Sequence, residues 1–228
     1  NKNNGGKMIN IAIDGHVGSG KSTLARGLAK KLGFNVFDTG AIYRGLACEF
    51  KEKGYKSIDE NTISDFITSV EVKIFFEDDV QHVVVNGHDH TQNLRREEIS
   101  MLSAQISPFP VLRDKVKDLQ RHFAKEHNCI MEGRDIGTVV LPNADVKFFI
   151  TASEEVRAQR RFDQVKDKPN SPSYQEILND LRERDYKDEH RTIAPLKPAK
   201  DAIILDTSNM TLDDTINRCI EIINNKLN

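Results

Sequence analysis

Apolar positions along the chain change their period several times, and each change marks an element. Ile9, Ile11, Ala12 and Ile13 make a short apolar run that predicts a buried strand. Leu24, Ala25, Leu28, Ala29 and Leu32 then recur at helical spacing, with Lys30 and Lys31 late in the helix and Gly33 placed to cap it. Phe34 to Asp38 reads as a second strand, followed by a helix that carries Ile42, Leu46 and Phe50 inward and ends near Gly54. Strand, helix, strand, helix implies parallel pairing. Ser57-Ile58-Asp59-Glu60 has the spacing of a capping box and opens a short helix through Phe66 and Ile67.

The period then switches to that of strands. Val70 to Glu77 and Gln81 to Asn86 are rich in β-branched and aromatic residues, are separated by Asp78-Asp79 and close on Asn86-Gly87, which predicts antiparallel hairpins in an inserted lobe. His88 and His90 share a strand face, but no third and fourth ligand stands at diagnostic spacing, so they read as solvated hairpin residues. A helical pattern over Leu94 to Ile106 is broken by Ser107-Pro108-Phe109-Pro110. Val111, Lys115, Leu119 and Phe123 then lie along one long helix that also carries Arg113. Cys129 to Met131 and Val146 to Ile150 are further strands, the second leading into a helix with Arg157, Arg160 and Arg161 on one side. After the loop Asp167 to Pro172, a helix from Ser173 to about Arg191 buries Ile177, Leu178 and Leu181 and presents Arg184, Asp188 and Arg191. Ala202 to Leu205 completes the sheet, and Leu212, Ile216, Ile220 and Ile223 form a docking helix.

Composition narrows the function classes. A chain of 228 residues suits one core with inserted lobes. Its net charge of −2 gives no global basic field for nucleic acid or an anionic membrane, and there is no aromatic-basic platform for RNA. Cys48, Cys129 and Cys219 are dispersed, fitting a reducing, cytoplasmic setting and offering no metal framework. Residues 1–7 read as a disordered leader or a cloning remnant, and no segment has the pattern of a signal peptide or membrane span.

The first strand runs into Gly15-His16-Val17-Gly18-Ser19-Gly20-Lys21-Ser22, which fits the phosphate-loop pattern with a strand before it and a helix after it. In such a loop the backbone N–H groups from Gly18 to Ser22 wrap a phosphate, Lys21 reaches the outer phosphates and the Ser22 hydroxyl holds Mg²⁺. A guanine-specifying Asn-Lys-x-Asp segment is absent, which argues against a GTPase. Arginines instead recur in segments that start at the carboxyl edge of the sheet: Arg44, Arg134, Arg157 to Arg161, Arg184 and Arg191. So many guanidinium groups suit two phosphorylated ligands facing each other.

Asp38-Thr39-Gly40-Ala41-Ile42-Tyr43-Arg44, Glu132-Gly133-Arg134-Asp135-Ile136-Gly137-Thr138, and Arg184-Asp185 with Asp188, Arg191, Ala194, Pro195 and Leu196 resemble the signature segments of the bacterial cytidylate kinases. The resemblance runs from about Met8 to the C-terminus. It implies an α/β P-loop core with a central parallel sheet flanked by helices (8–39, 105–152 and 173–228), a hairpin-bearing nucleotide-binding lobe (40–104) and a small helical lid (153–172). It also implies transfer of the ATP γ-phosphoryl group to CMP or dCMP with Mg²⁺; a monomer that binds neither nucleic acid nor membrane is the expectation for the chain.

By that resemblance Gly15, Gly18, Ser19, Gly20, Lys21, Ser22 and Thr23 bind ATP, and Arg157 and Arg161 close over its phosphates. Arg44 and Arg134 hold the acceptor phosphate, Tyr43, Arg184 and Asp188 contact its sugar, Arg113, Asp135 and Arg191 read cytosine, and Thr39 joins the acceptor site. Lys21, Arg134, Arg157, Arg161 and Arg184 are the implied catalytic groups. Two positions depart from the family's pattern. Its loop has Pro and Ala where His16-Val17-Gly18-Ser19 stand here, leaving His16 to contact phosphate or face solvent. A cytosine-recognising serine aligns with Ala104, beside Ser103. These departures keep open a kinase that also accepts UMP, and a nucleotide sensor without transfer remains the reading from another class.

Overall fold

The computed structural model describes residues 7–227. Of the leader expected over 1–7, residues 1–6 lie outside the described residues, while Lys7 donates to Asp145 at 2.6 Å. The chain divides into two compact units, one of Phe37–Glu126 and one built from the segments on either side.

The flanking segments build the larger unit around a five-stranded sheet. Its strands are β1 (Asn10–Gly15), β2 (Asn35–Phe37), β6 (Cys129–Gly133), β7 (Val146–Thr151) and β8 (Ile203–Asp206), in the order β2-β6-β1-β7-β8. Parallel pairs join β1 to β6, β1 to β7 and β7 to β8. Helix α1 (Lys21–Leu32) and helix α8 (Leu212–Leu227) supply Leu24, Leu28, Ile216, Cys219 and Ile223 to a core with Ile11, Ile13, Ile130, Phe148 and Ile150. Full burial of each such large apolar side chain contributes about 1.5–3 kcal/mol. Gly33 caps α1 in the left-handed conformation its position predicts, at φ 68°.

A smaller apolar cluster joins α6 (Glu154–Val165) to α7 (Tyr174–His190), where Ala158, Val165, Ile177, Leu178 and Leu181 meet. Helix α7 begins on a complete capping box between Ser173 and Glu176.

The unit Phe37–Glu126 holds α2 (Thr39–Glu52), α3 (Glu60–Thr68), an antiparallel sheet of β3 (Val72–Glu77), β4 (Val80–Val85) and β5 (His88–Asp89), then α4 (Glu97–Ile106) and α5 (Pro110–Glu126). Both hairpin turns hold two residues at positive φ, Asp78-Asp79 and Asn86-Gly87, the backbone a tight turn between twisted strands requires.

Local packing departs from the sequence expectations at the cap of α3 and at His90. The cap of α3 is Asp59, which accepts from the Thr62 backbone N–H at 2.9 Å; Ser57 bonds the Thr62 hydroxyl instead. Helix α5 buries Leu112, Val116, Gln120 and Phe123, and the Gln120 side-chain amide donates to Thr39 Oγ1 at 2.8 Å. His90 is buried against Glu49 rather than solvated, while His88 is exposed.

Candidate active site

The phosphate loop emerges from the carboxyl end of β1, where open parallel sheets present ligand sites. Gly15 ends the strand at φ 153°, and a Cβ there would lie 2.0 Å from the Ile150 carbonyl oxygen, so only glycine lets β7 approach this closely. Gly20 precedes α1 at φ 89° and provides no side-chain cap; the first turn has no acidic residue. The helix therefore turns an uncapped, electropositive N-terminus towards the loop, which is the field an anionic phosphate requires. Gly18 also has positive φ, at 74°.

Inside the loop the His16 carbonyl accepts from Lys21 Nζ at 2.7 Å and from Ser19 Oγ at 2.8 Å. Lys21 is buried, and desolvation, reinforced by the charge of Arg134, pushes its pKa down to about 8. Ser22 and Thr23 stand exposed in the first turn of α1, with Ser22 Oγ donating to Glu132 at 2.7 Å. The His16 ring does not face solvent: it bonds Glu189 of α7 at 2.8 Å and meets Phe149 edge-on at 5.8 Å.

Asp14 is buried just before the loop and accepts from the backbone N–H groups of Ile136 and Gly137 at 2.9 and 2.7 Å. Desolvation outweighs those two bonds and pushes its pKa up to about 6. It thereby joins β1 to the turn after β6, a π-helical turn over Ile136–Val140 whose Leu141 N–H reaches the Ile136 carbonyl at 2.7 Å.

That turn carries Arg134 and Asp135, and α7 answers both. Arg134 Nε donates to Asp188 at 2.6 Å. Arg191 donates to the Ala194 carbonyl at 2.6 Å and lies 3.8 Å from Asp135, while its Nη2 is buried with no hydrogen-bond partner.

Arg157 is buried on α6. It donates to the Ala152 and Val17 carbonyls, each at 3.0 Å, and pairs with Asp185 at 2.7 Å. Its two companions diverge from it: Arg160 bonds Thr207 and exposed Arg161 reaches Gln164. Arg184 is exposed and pairs with Asp180 at 3.1 Å rather than with Asp188.

The unit Phe37–Glu126 carries the remaining predicted site residues. Asp38 caps α2 by accepting from Ala41 and pairs with Arg44 at 3.3 Å, and the side-chain amide of Gln81 holds the Asp38 backbone from both sides at 2.8 and 3.0 Å. Thr39 is fixed by Gln120 of α5, the helix that also carries half-buried Arg113; Tyr43 lies one turn into α2. Ser103 is buried on α4 and Ala104, about 100° further round the helix, is exposed.

Reading the residues forward missed Asp14, Glu132, Asp185 and Glu189. Asp14 carried a signal, as the charged residue in an otherwise apolar strand. Asp185 and Glu132 stood inside the quoted motifs without roles, and Glu189 carried no mark among the charges of α7.

A phosphate loop with its lysine and serine in place, held at the Val17 carbonyl by buried Arg157 on a parallel α/β sheet, defines a P-loop kinase core. The family model for cytidylate kinase matches residues 11–225. Curated cytidylate kinases of Carboxydothermus hydrogenoformans and Lactobacillus gasseri are 41% and 42% identical, over 96% of this chain and 98% and 95% of theirs. One from Caldicellulosiruptor saccharolyticus is 39% identical over 95% of this chain and 96% of its own. The chain belongs to the cytidylate kinase family. Among solved structures, an uncharacterized protein from Eubacterium ventriosum shares the fold at a TM-score of 0.52 and 12% identity, covering 95% of this chain and 99% of that one.

Proposed function

We propose that this protein transfers the γ-phosphoryl group of ATP to CMP or dCMP, giving ADP and CDP or dCDP. The observation that carries the reading is the Lys21–Ser22 phosphate loop at the uncapped N-terminus of α1, in a chain of the cytidylate kinase family. The loop and α1 hold the ATP phosphates, with Gly15, Gly18, Ser19, Gly20 and Thr23 shaping the cradle. Lys21, released from the His16 carbonyl, moves to the outer phosphates and stabilises charge as the group transfers.

Ser22 Oγ and Glu132 Oε1 stand 2.7 Å apart as hard oxygen donors, a set that fits Mg²⁺. When bound, the ion neutralises charge on the phosphate oxygens. Arg134 and Arg44 are assigned to the acceptor phosphate, and Tyr43, Thr39, Arg184 and Asp188 to its sugar and surroundings. Arg157 and Arg161 belong to a lid over 153–172 that excludes water from the donor phosphates.

Cytosine recognition falls to Arg113, Asp135 and Arg191. A carboxylate accepts from the exocyclic amine of cytosine, and Arg191 Nη2, buried without a hydrogen bond and 3.8 Å from Asp135, is a donor that a base oxygen or nitrogen satisfies. Uracil offers no amine, which leaves a buried acceptor unpaired at about 1–3 kcal/mol, roughly 5- to 150-fold. We place the enzyme in the cytoplasm as a monomer; among the described residues no helix is long and apolar enough to cross a membrane. The test is ADP release with ATP and Mg²⁺ across all nucleoside monophosphates. CMP and dCMP are expected to be the best acceptors; equal or faster turnover of UMP or AMP overturns the acceptor assignment, and release stimulated by none overturns the activity.

A further inference from the structure

Four side chains that phosphoryl transfer leaves unused converge within the unit Phe37–Glu126. Glu49 and Glu52 lie one turn apart on α2, at the i, i+3 spacing that places them on one face. His88 and His90 stand two residues apart as the chain leaves the Asn86-Gly87 turn, and both rings turn towards Glu49. Glu49 Oε2 lies 3.0 Å from His90 Nε2 and 3.2 Å from His88 Nδ1. Glu52 lies 3.7 Å from His90 Nδ1 and 3.9 Å from His88 Nδ1. One ligand atom from each residue can be chosen so that all four lie within 4.8 Å of one another.

A hydrogen-bond network explains only part of this cluster. Glu49 is satisfied: it accepts from both rings, and Asn86 Nδ2 donates to its other oxygen at 3.0 Å. Glu52 is too far from either ring for a hydrogen bond, yet it faces both. Two carboxylates also gather at one spot, one of them on a side chain that is only 1% exposed.

A divalent cation answers both points. Metal–ligand bonds of about 2.0–2.2 Å place the corners of a tetrahedron roughly 3.3–3.6 Å apart, and one donor from each of the four side chains lies within 4.8 Å of the others, so a small inward movement of the rim reaches that spacing. Glu49 and His90, at 1% and 2% exposure, form a fixed floor, while Glu52 and His88, at 54% and 64%, form a rim able to close on an ion. The Asn86 amide orients the Glu49 carboxylate as an outer-shell partner does. Two nitrogen and two oxygen donors select a borderline first-row ion rather than Mg²⁺, which prefers six oxygens.

We propose that Glu49, Glu52, His88 and His90 form a Zn²⁺ site that pins α2 to the β4–β5 hairpin. Its sequence signature is a helical E-x-x-E followed by a hairpin H-x-H, a split arrangement that no contiguous motif reveals.

The test uses the full-length protein freed of metal with a chelator and titrated with Zn²⁺ in a calorimeter, with Co²⁺ as the optical probe. One saturating equivalent, a higher melting temperature and the intense visible spectrum of four-coordinate Co²⁺ are expected. The E52A/H88A variant alters only the rim and should keep its far-UV circular dichroism and CMP turnover while Zn²⁺ affinity falls more than about 100-fold, beyond the 10- to 100-fold cost of losing an outer-shell partner. His82→Ala, which removes a ring bonded to Asp89 outside the cluster, should leave binding unchanged. Absence of a saturable equivalent in the wild-type protein, or E52A/H88A binding as tightly as wild type, overturns the proposal.

Discussion

At the scale of the residue, Lys21 is held in tension between burial and its task. A lysine with a pKa of about 8 is half neutral at pH 8, and an arriving polyphosphate stabilises the charged form and raises that pKa. Nucleotide binding at pH 8 should therefore take up about half a proton, fading towards pH 7 where Lys21 is already charged. Titrations of ATP in buffers of different ionisation enthalpy measure this directly, and Lys21→Met should abolish it. Gly15 sets a second limit. Gly15→Ala drives a methyl group into the Ile150 carbonyl and should cost more than about 3 kcal/mol, read as a fall in the urea midpoint.

Elements differ in how openly the sequence declares them. Helix α7 was legible to within a residue at each end, because Ser173 and Glu176 form a local cap that needs no tertiary context. Helix α5 was legible, but the inward course of Gln120 was not, since its partner Thr39 lies far away in sequence. The phosphate loop announced itself through spacing alone. The partners of its side chains did not, because Asp14, Glu132 and Asp185 act across long sequence separations. Among these, the Arg157–Asp185 pair ties α6 to α7 in a buried setting. Asp185→Asn leaves Arg157 charged and short of a partner and should cost about 3–5 kcal/mol, whereas R157M/D185L should cost less because no charge remains buried. Urea denaturation of the two variants separates these outcomes.

For the whole molecule, net charge and site charge point in different directions. The chain carries −2 overall, yet its functional segments gather arginine, so attraction for an anionic nucleotide is built locally rather than by a long-range field. ATP association should accordingly change by less than about tenfold between roughly 50 and 500 mM salt, a range over which a steered encounter falls steeply. Stopped-flow binding of a fluorescent ATP analogue measures it. Fold and reaction class were legible at this scale because strand–helix alternation, the loop and the arginine motifs agree. The Glu49–His90 cluster was not, because its halves meet only once the hairpin folds back over α2.

Helix α7 reaches the phosphate loop and its surroundings through three neighbouring positions: Asp185 to Arg157, Asp188 to Arg134, and Glu189 to His16. A point substitution removes one of these links. A single residue inserted between Leu181 and Asp185 turns the rest of the helix by about 100° and breaks all three together. The His16-Val17-Gly18-Ser19 loop is braced from outside, which makes the length of a distant helix part of the active site's specification. A scan of single-residue insertions should find α7 far less tolerant than its substitution profile suggests.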